Sequence, residues 1–273
     1  MISGGWRTFL DGLESLGLFL PQKNDMALRI VFLLLSTTVF LGQMAAQSTA
    51  YVVQGGSTIG LQRWDNSLDR EPLFKWHGAL SIESVENEDD RNSLFAQFGY
   101  HVKGSATRLR FFDIFSGAPG RVFTEEFRFN NLSLVVGGKR KTPLGASGRA
   151  RYFYGGGIRC DYTLSTNIDD LTAGNPQLVV FYPTVGFMNR WMLGFTVTTG
   201  IEFKLKELIG GELKLSVHPD VTLQYNQPSI GNVIDPFNPG NTIIISERQI
   251  RNIAVEIGVG IRLLRKVEYV DED

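Results

Sequence analysis

The chain lacks the means to staple itself. Cys160 is the single cysteine among 273 residues, so no disulfide forms within the chain. On a strand such a residue serves as a small apolar filler. An excess of one charge is also missing. Lys and Arg number 27 against 28 Asp and Glu, a formal charge of −1, which leaves no basic stripe for nucleic acid. Beyond residue 47 no apolar run is long enough to cross a bilayer as a helix. Present in quantity are 30 glycines, 11% aromatic residues and a strong alternation of apolar with polar positions.

Near the start, a short basic segment (26–29) leads into an apolar core (30–42) and then Ala45 and Ala46. That order reads as a secretory signal with a small-residue cleavage site, its core too short to span a membrane. Residues 1–25 carry Asp11, Glu14 and Asp25, which do not suit the start of a signal. Two readings stand for them: a start placed too far upstream of Met26, or an uncleaved amphipathic extension. The expected organisation is an extension plus signal over 1–47 (signal 26–47), one domain over 48–266, and an acidic tail over 267–273.

Within the domain, Ile253, Val255, Ile257, Val259, Ile261 and Leu263 share one parity; Ala254, Glu256, Gly258, Gly260 and Arg262 share the other. A strand points alternate side chains to opposite faces, whereas a helix would scatter these β-branched residues around its circumference. The same alternation recurs around residues 51–62, 74–83, 94–103, 127–138, 152–164, 191–204 and 213–225, giving eight strands. A possible bulge is read at Asn130 and Asn131, another at Pro219, which cannot donate a ladder bond. Residues 105–125 read as irregular, 139–143 as a basic turn, and Gly210 with Gly211 as a tight turn. The connections alternate long and short, and an even strand number leaves both chain ends on one side.

Period two does not say which face points inward. A lipocalin-like barrel has eight strands with the apolar faces inside. The inverted arrangement fits better here: the apolar faces match the nine to eleven residues of a tilted membrane strand, and aromatics such as Trp76, Tyr100, Tyr152, Tyr162, Trp191, Phe203 and Tyr225 fall near strand ends. The expected fold is therefore all-β, an eight-stranded antiparallel up-and-down transmembrane barrel with short periplasmic turns and long extracellular loops.

On this architecture the chain resembles the small outer-membrane barrels of the OmpX and OmpA transmembrane type, and the broader group that includes PorT-like secretion accessories. Glu256, Gly258, Ile261 and Leu263 also resemble the C-terminal signal read by the barrel-assembly machinery, although that signal habitually ends on an aromatic residue and here an acidic tail follows. The resemblance implies outer-membrane lipid as surroundings, export by a cleaved signal, and a non-enzymatic role played through loops: structural, adhesive, or as a secretion or assembly accessory. A narrow channel or transporter is the rival reading, and a lipid-modifying enzyme the third.

The inward parity predicts a polar lumen made of Lys75, His77, Glu83, His101, Lys103, Arg151, Arg159, Asp161, Glu202, Lys204, Lys214, His218, Asp220, Glu256 and Arg262. Eight strands enclose only enough room for side chains, so these charges are expected to pair across the bore and close it. No catalytic, cofactor or metal set is assigned. The three histidines would serve as ligands only if they converged at one height. The acidic turn 87–90 lacks the spacing of a calcium loop, and residues 155–157, three successive glycines in a strand, read as space-saving at a crowded wall.

Overall fold

A computed structural model describes residues 48–64, 70–85, 91–112, 119–145, 149–173, 182–236, 238 and 240–265. The expected leader (26–47), the extension before it and the acidic tail (267–273) lie outside the described residues.

Eight long strands close a ring. β1 (Ser48–Trp64), β2 (Glu71–Val85), β3 (Asn92–Phe112), β4 (Pro119–Leu144), β5 (Ala150–Thr166), β6 (Trp191–Lys204) and β7 (Ile209–Pro219) each pair antiparallel with the next. Between β5 and β6 the chain forms a short helix, α1 (Ile168–Ala173), and a 3-10 turn (Val185–Phe187). Between β7 and the last strand it forms β8 (Tyr225–Gln227), β9 (Ile230–Ile234) and β10 (Thr242–Ile245). β11 (Arg248–Arg265) pairs with both β7 and β1, so every wall strand has two neighbours and no edge is left to aggregate. β8 adds to the end of β11, while β9 and β10 make a separate hairpin.

Pairing of Thr49 with Arg265 puts both ends of the described chain on one rim. That rim also carries the strand ends Val85, Asn92, Leu144, Ala150, Lys204 and Ile209, and is called the turn rim below. The loop rim, opposite, carries the strand ends Trp64, Glu71, Phe112, Pro119, Thr166, Trp191, Pro219 and Arg248.

Burial is inverted relative to a water-soluble barrel. Glu83, Lys103 and Arg159 have no exposed surface, while Ile158 (66%), Val259 (65%) and Phe74 (68%) stand on the outside. A charged interior within an apolar exterior makes sense only with lipid outside, where strands paired around a closed ring keep backbone amides bonded to one another. Aromatic pairs mark both levels of this exterior. Trp76 with Tyr100 (5.0 Å) and Tyr162 with Trp191 (4.8 Å) lie toward the loop rim; Tyr152 and Tyr154 lie toward the turn rim. Tyr225 departs from the expected belt and is buried at the mouth.

The strands outrun their sequence pattern. The expected irregular stretch 105–125 is mostly strand, because β3 and β4 stay paired out to Arg110 with Val122 and make a hairpin well past the aromatic level. The expected basic turn 139–143 lies inside β4, and Gly210 and Gly211 lie inside β7, the reversal falling at 205–208. The ladder between β4 and β5 does slip at Asn130 and Asn131. Pro219 terminates β7 instead of bulging it. The glycines of β4 and β5 interlock: a Cβ on Gly157 would lie 2.5 Å from the Val136 carbonyl oxygen.

Candidate functional site

The lumen is stacked in layers, each supplied by inward positions of several strands. At the turn rim, Glu83, Glu202 and Glu212 meet Lys139, Lys141 and Arg262. The Lys139 ammonium donates to Glu83 and reaches Glu212 at 3.3 Å; Lys141 lies 3.2 Å from Glu202 and 3.5 Å from Glu83; Arg262 lies 3.7 Å from Glu83. The three carboxylates bring ligand atoms within 4.8 Å of one another. Three cations already match their charge, so a divalent ion would add uncompensated charge to a buried cluster. As it stands, this layer ties β2, β4, β6, β7 and β11 together as a charge-balanced brace.

Above it Lys214 donates to Gln97 (2.7 Å), and Gln54 joins the same amide oxygen (3.1 Å). Next comes a layer that sequence could not foresee as such: all three histidines converge on one carboxylate. Glu256 accepts from Nδ1 of His101 (2.9 Å), sits 3.1 Å from Nε2 of His218 and 3.9 Å from Nε2 of His77. Hydroxyls hold the outer ring nitrogens of two of them, and a carboxylate stands near the third. Thr58 lies 3.2 Å from Nδ1 of His77, Thr196 lies 3.0 Å from Nδ1 of His218, and Asp161 lies 3.6 Å from Nε2 of His101. With Glu256 occupying the middle, the arrangement gathers three imidazoles about one anion, with His101 hydrogen-bonded to it.

One step nearer the loop rim, Lys103 bridges Asp161 (2.5 Å) and Asp220 (2.6 Å), and Arg159 pairs with the same oxygen of each carboxylate. Asn252 continues the chain from Asp220 (3.1 Å) to Gln224 (3.0 Å). The mouth then turns apolar. Trp64, Phe127, Tyr225 and Ile250 form a buried cluster, with Leu171 of α1, Tyr182, Phe187 and Met188 packed over it. The Arg70 guanidinium lies 3.5 Å from the Trp64 ring centroid, a stacked cation that closes the plug from above. The phenol of Tyr182 donates to Glu125 (2.8 Å), and Tyr225 accepts from the Thr184 amide (3.0 Å) while donating to Gln227 (2.7 Å). Gly104, at φ +156, permits the pinch below this plug, since a Cβ on Gly60 would lie 2.7 Å from its carbonyl oxygen.

Of the residues expected in the lumen, His77, Glu83, His101, Lys103, Arg159, Asp161, Glu202, Lys214, His218, Asp220, Glu256 and Arg262 meet in these layers. Three do not. Lys75 pairs with Glu126 (2.8 Å), both partly exposed; Arg151 is half-buried at the turn rim, and Lys204 is exposed there. Missing from the expected set were Lys139, Lys141 and Glu212, whose parity continues that of the strands they belong to. With them, the described interior holds six cations (Lys103, Lys139, Lys141, Arg159, Lys214, Arg262) and six anions (Glu83, Asp161, Glu202, Glu212, Asp220, Glu256). In the C-terminal strand, Glu256 and Gly258 point inward, while Ile261 and Leu263 face out.

No protein family matches the sequence, and no curated protein does. Among solved structures the chain is similar to Neisserial surface protein A at 10% identity and TM-score 0.40, over 78% of this chain and 97% of that one. It is similar to the outer membrane protein OprG of Pseudomonas aeruginosa at 9% identity and TM-score 0.44, over 80% and 97%. It is also similar to the outer membrane protease OmpT of Escherichia coli at 7% identity and TM-score 0.37, over 80% and 97%. At such low similarity the ring closure and the inverted burial carry the argument, and they make this chain an eight-stranded transmembrane β-barrel.

Proposed function

We propose that the chain is a non-enzymatic outer-membrane barrel whose interior is a brace and whose work is done by its extracellular loops, in adhesion or as a structural, secretion or assembly accessory. The observation that carries this reading is the closed bore: charge-paired layers fill it and an aromatic plug stands over its loop end. A small solute would have to break several buried ion pairs to pass, each costly to disrupt. The loop rim, by contrast, offers contact surface. Val122 and Phe123 on β4 and Ile234 and Ile244 on the β9–β10 hairpin are each half or more exposed. All three histidines lie behind the plug, away from lipid at the rim, which speaks against a lipid-modifying role.

Planar-bilayer recording of the purified protein tests the reading and should give no sustained open state. Stable currents at neutral pH would sink it and promote the channel. Replacing residues 230–245 by a short turn should then reproduce the phenotype of a null strain, while the barrel still assembles. For assembly itself, the β11 residues Glu256, Gly258, Ile261 and Leu263 are the segment proposed to be read by the barrel-assembly machinery.

A further inference from the structure

Where the turn rim meets lipid, the wall of β3, β4 and β5 carries a groove of about 480 Å³, lined in part by Asn92, Ser93, Leu94, Gly138, Arg140 and Tyr154. Two features distinguish it from the wall around it. Arg140 stands exposed on the outward parity, in register with Asn92 and Tyr154, and makes no ion pair among the described residues. At Gly138 a Cβ would meet nothing nearer than the Ser93 carbonyl oxygen at 3.8 Å and a Leu94 methyl at 3.9 Å. Unlike the interlocked glycines beside it, Gly138 has room for a side chain, so the groove is open because none is there.

A cation on the outer wall is costly at mid-bilayer and tolerated at the interface, where phosphate is the abundant counter-ion. We propose that this groove binds the phosphate of a phospholipid from the periplasmic leaflet. Arg140 pairs with the phosphate, as guanidinium groups do with planar forks of oxygen, and the side-chain amide of Asn92, in register beside it on the same face, donates to it. The groove opens beside Leu94 and the Tyr154 ring, both about half exposed, which gives an acyl chain an apolar track and favours lipid over free phosphate. The proposal depends on the membrane placement of the wall but not on what the loops bind.

The test uses the full chain in detergent, titrated with phosphatidylglycerol and followed by native mass spectrometry. One lipid should bind ahead of the rest. Arg140→Gln should weaken that first binding about tenfold, and Gly138→Leu, which fills the groove from a different residue, should weaken it similarly. Both variants should keep the heat-modifiable gel migration of a folded barrel. First-lipid affinity unchanged in both variants would overturn the groove as the site. Inorganic phosphate binding as tightly as the lipid would overturn the lipid as its occupant.

Discussion

The two ends of the lumen are closed by opposite chemistry. At the turn rim, three carboxylates and three cations lock β2, β4, β6, β7 and β11 together through Glu83, Lys139, Lys141, Glu202, Glu212 and Arg262. At the loop rim, Trp64, Phe127, Tyr225 and Ile250 pack as a small apolar core with one stacked guanidinium. An ionic closure is specific but brittle, since removing one member leaves its partners charged and dry. An aromatic closure loses only the contacts of the group removed. The first suits a wall that must hold one register. The second suits a mouth whose seal does not hang on any one charge.

The sharpest way to break that contrast is at Glu83, which three cations share. Glu83→Ala should destabilise the barrel by about 3–5 kcal/mol, because Lys139, Lys141 and Arg262 lose their common anion. Urea unfolding from lipid vesicles, followed by tryptophan fluorescence, measures it. Glu83→Gln should recover little of the loss, since it restores shape without charge. Full recovery by Gln would mean the turn rim is held by packing, and the contrast would collapse.

Trp64→Ala probes the other end and should cost about 3 kcal/mol, near the lower limit for a buried aromatic because the mouth borders water. Here the conservative variant should succeed: Trp64→Phe keeps most of the contact with Phe127 and Tyr225 and should recover more than half of the loss in the same unfolding experiment. A Phe variant as unstable as the Ala variant would show that the hydrogen bond from the indole to Gln62 (3.1 Å), and not packing, holds the plug.

Most of the wall was legible because a strand's period of two survives any local accident. The apolar parity of 253–263 fixes β11 and, by the same rule, most of the eight-strand ring. What misled were residues that usually mark turns. Lys139 and Lys141 read as a basic turn, because nothing local shows that Glu83 and Glu212, far away in sequence, wait across the bore. The mouth was harder still. Tyr225 looks like one more belt aromatic on a period-two count, yet Pro219 stops β7 first, and the chain then folds the ring inward over Trp64. Convergence of the three histidines on Glu256 is a matter of relative strand height, set by register around the whole ring. Parity placed them inside; only closure placed them together.

The smallest expected effect sharpens the comparison at the outermost layer of the plug, where the two chemistries meet. Partial burial and the hydrogen bond to Glu125 push the Tyr182 phenol up to about 12. A folded-state value above the unfolded one means that the proton is held more tightly in the folded mouth. The contribution is therefore complete below pH 10 and is lost as the pH climbs from about 10 to about 12. Tyr182→Phe should cost about 1 kcal/mol at neutral pH, a hydrogen bond to a charged acceptor discounted for its partial exposure. The difference in phenolate absorbance between the parent protein and Tyr182→Phe isolates this one titration among eight tyrosines. It should be centred near pH 12. A centre near pH 10 would mean that Tyr182 is free of Glu125 in solution, and that the mouth is sealed by its apolar cluster alone.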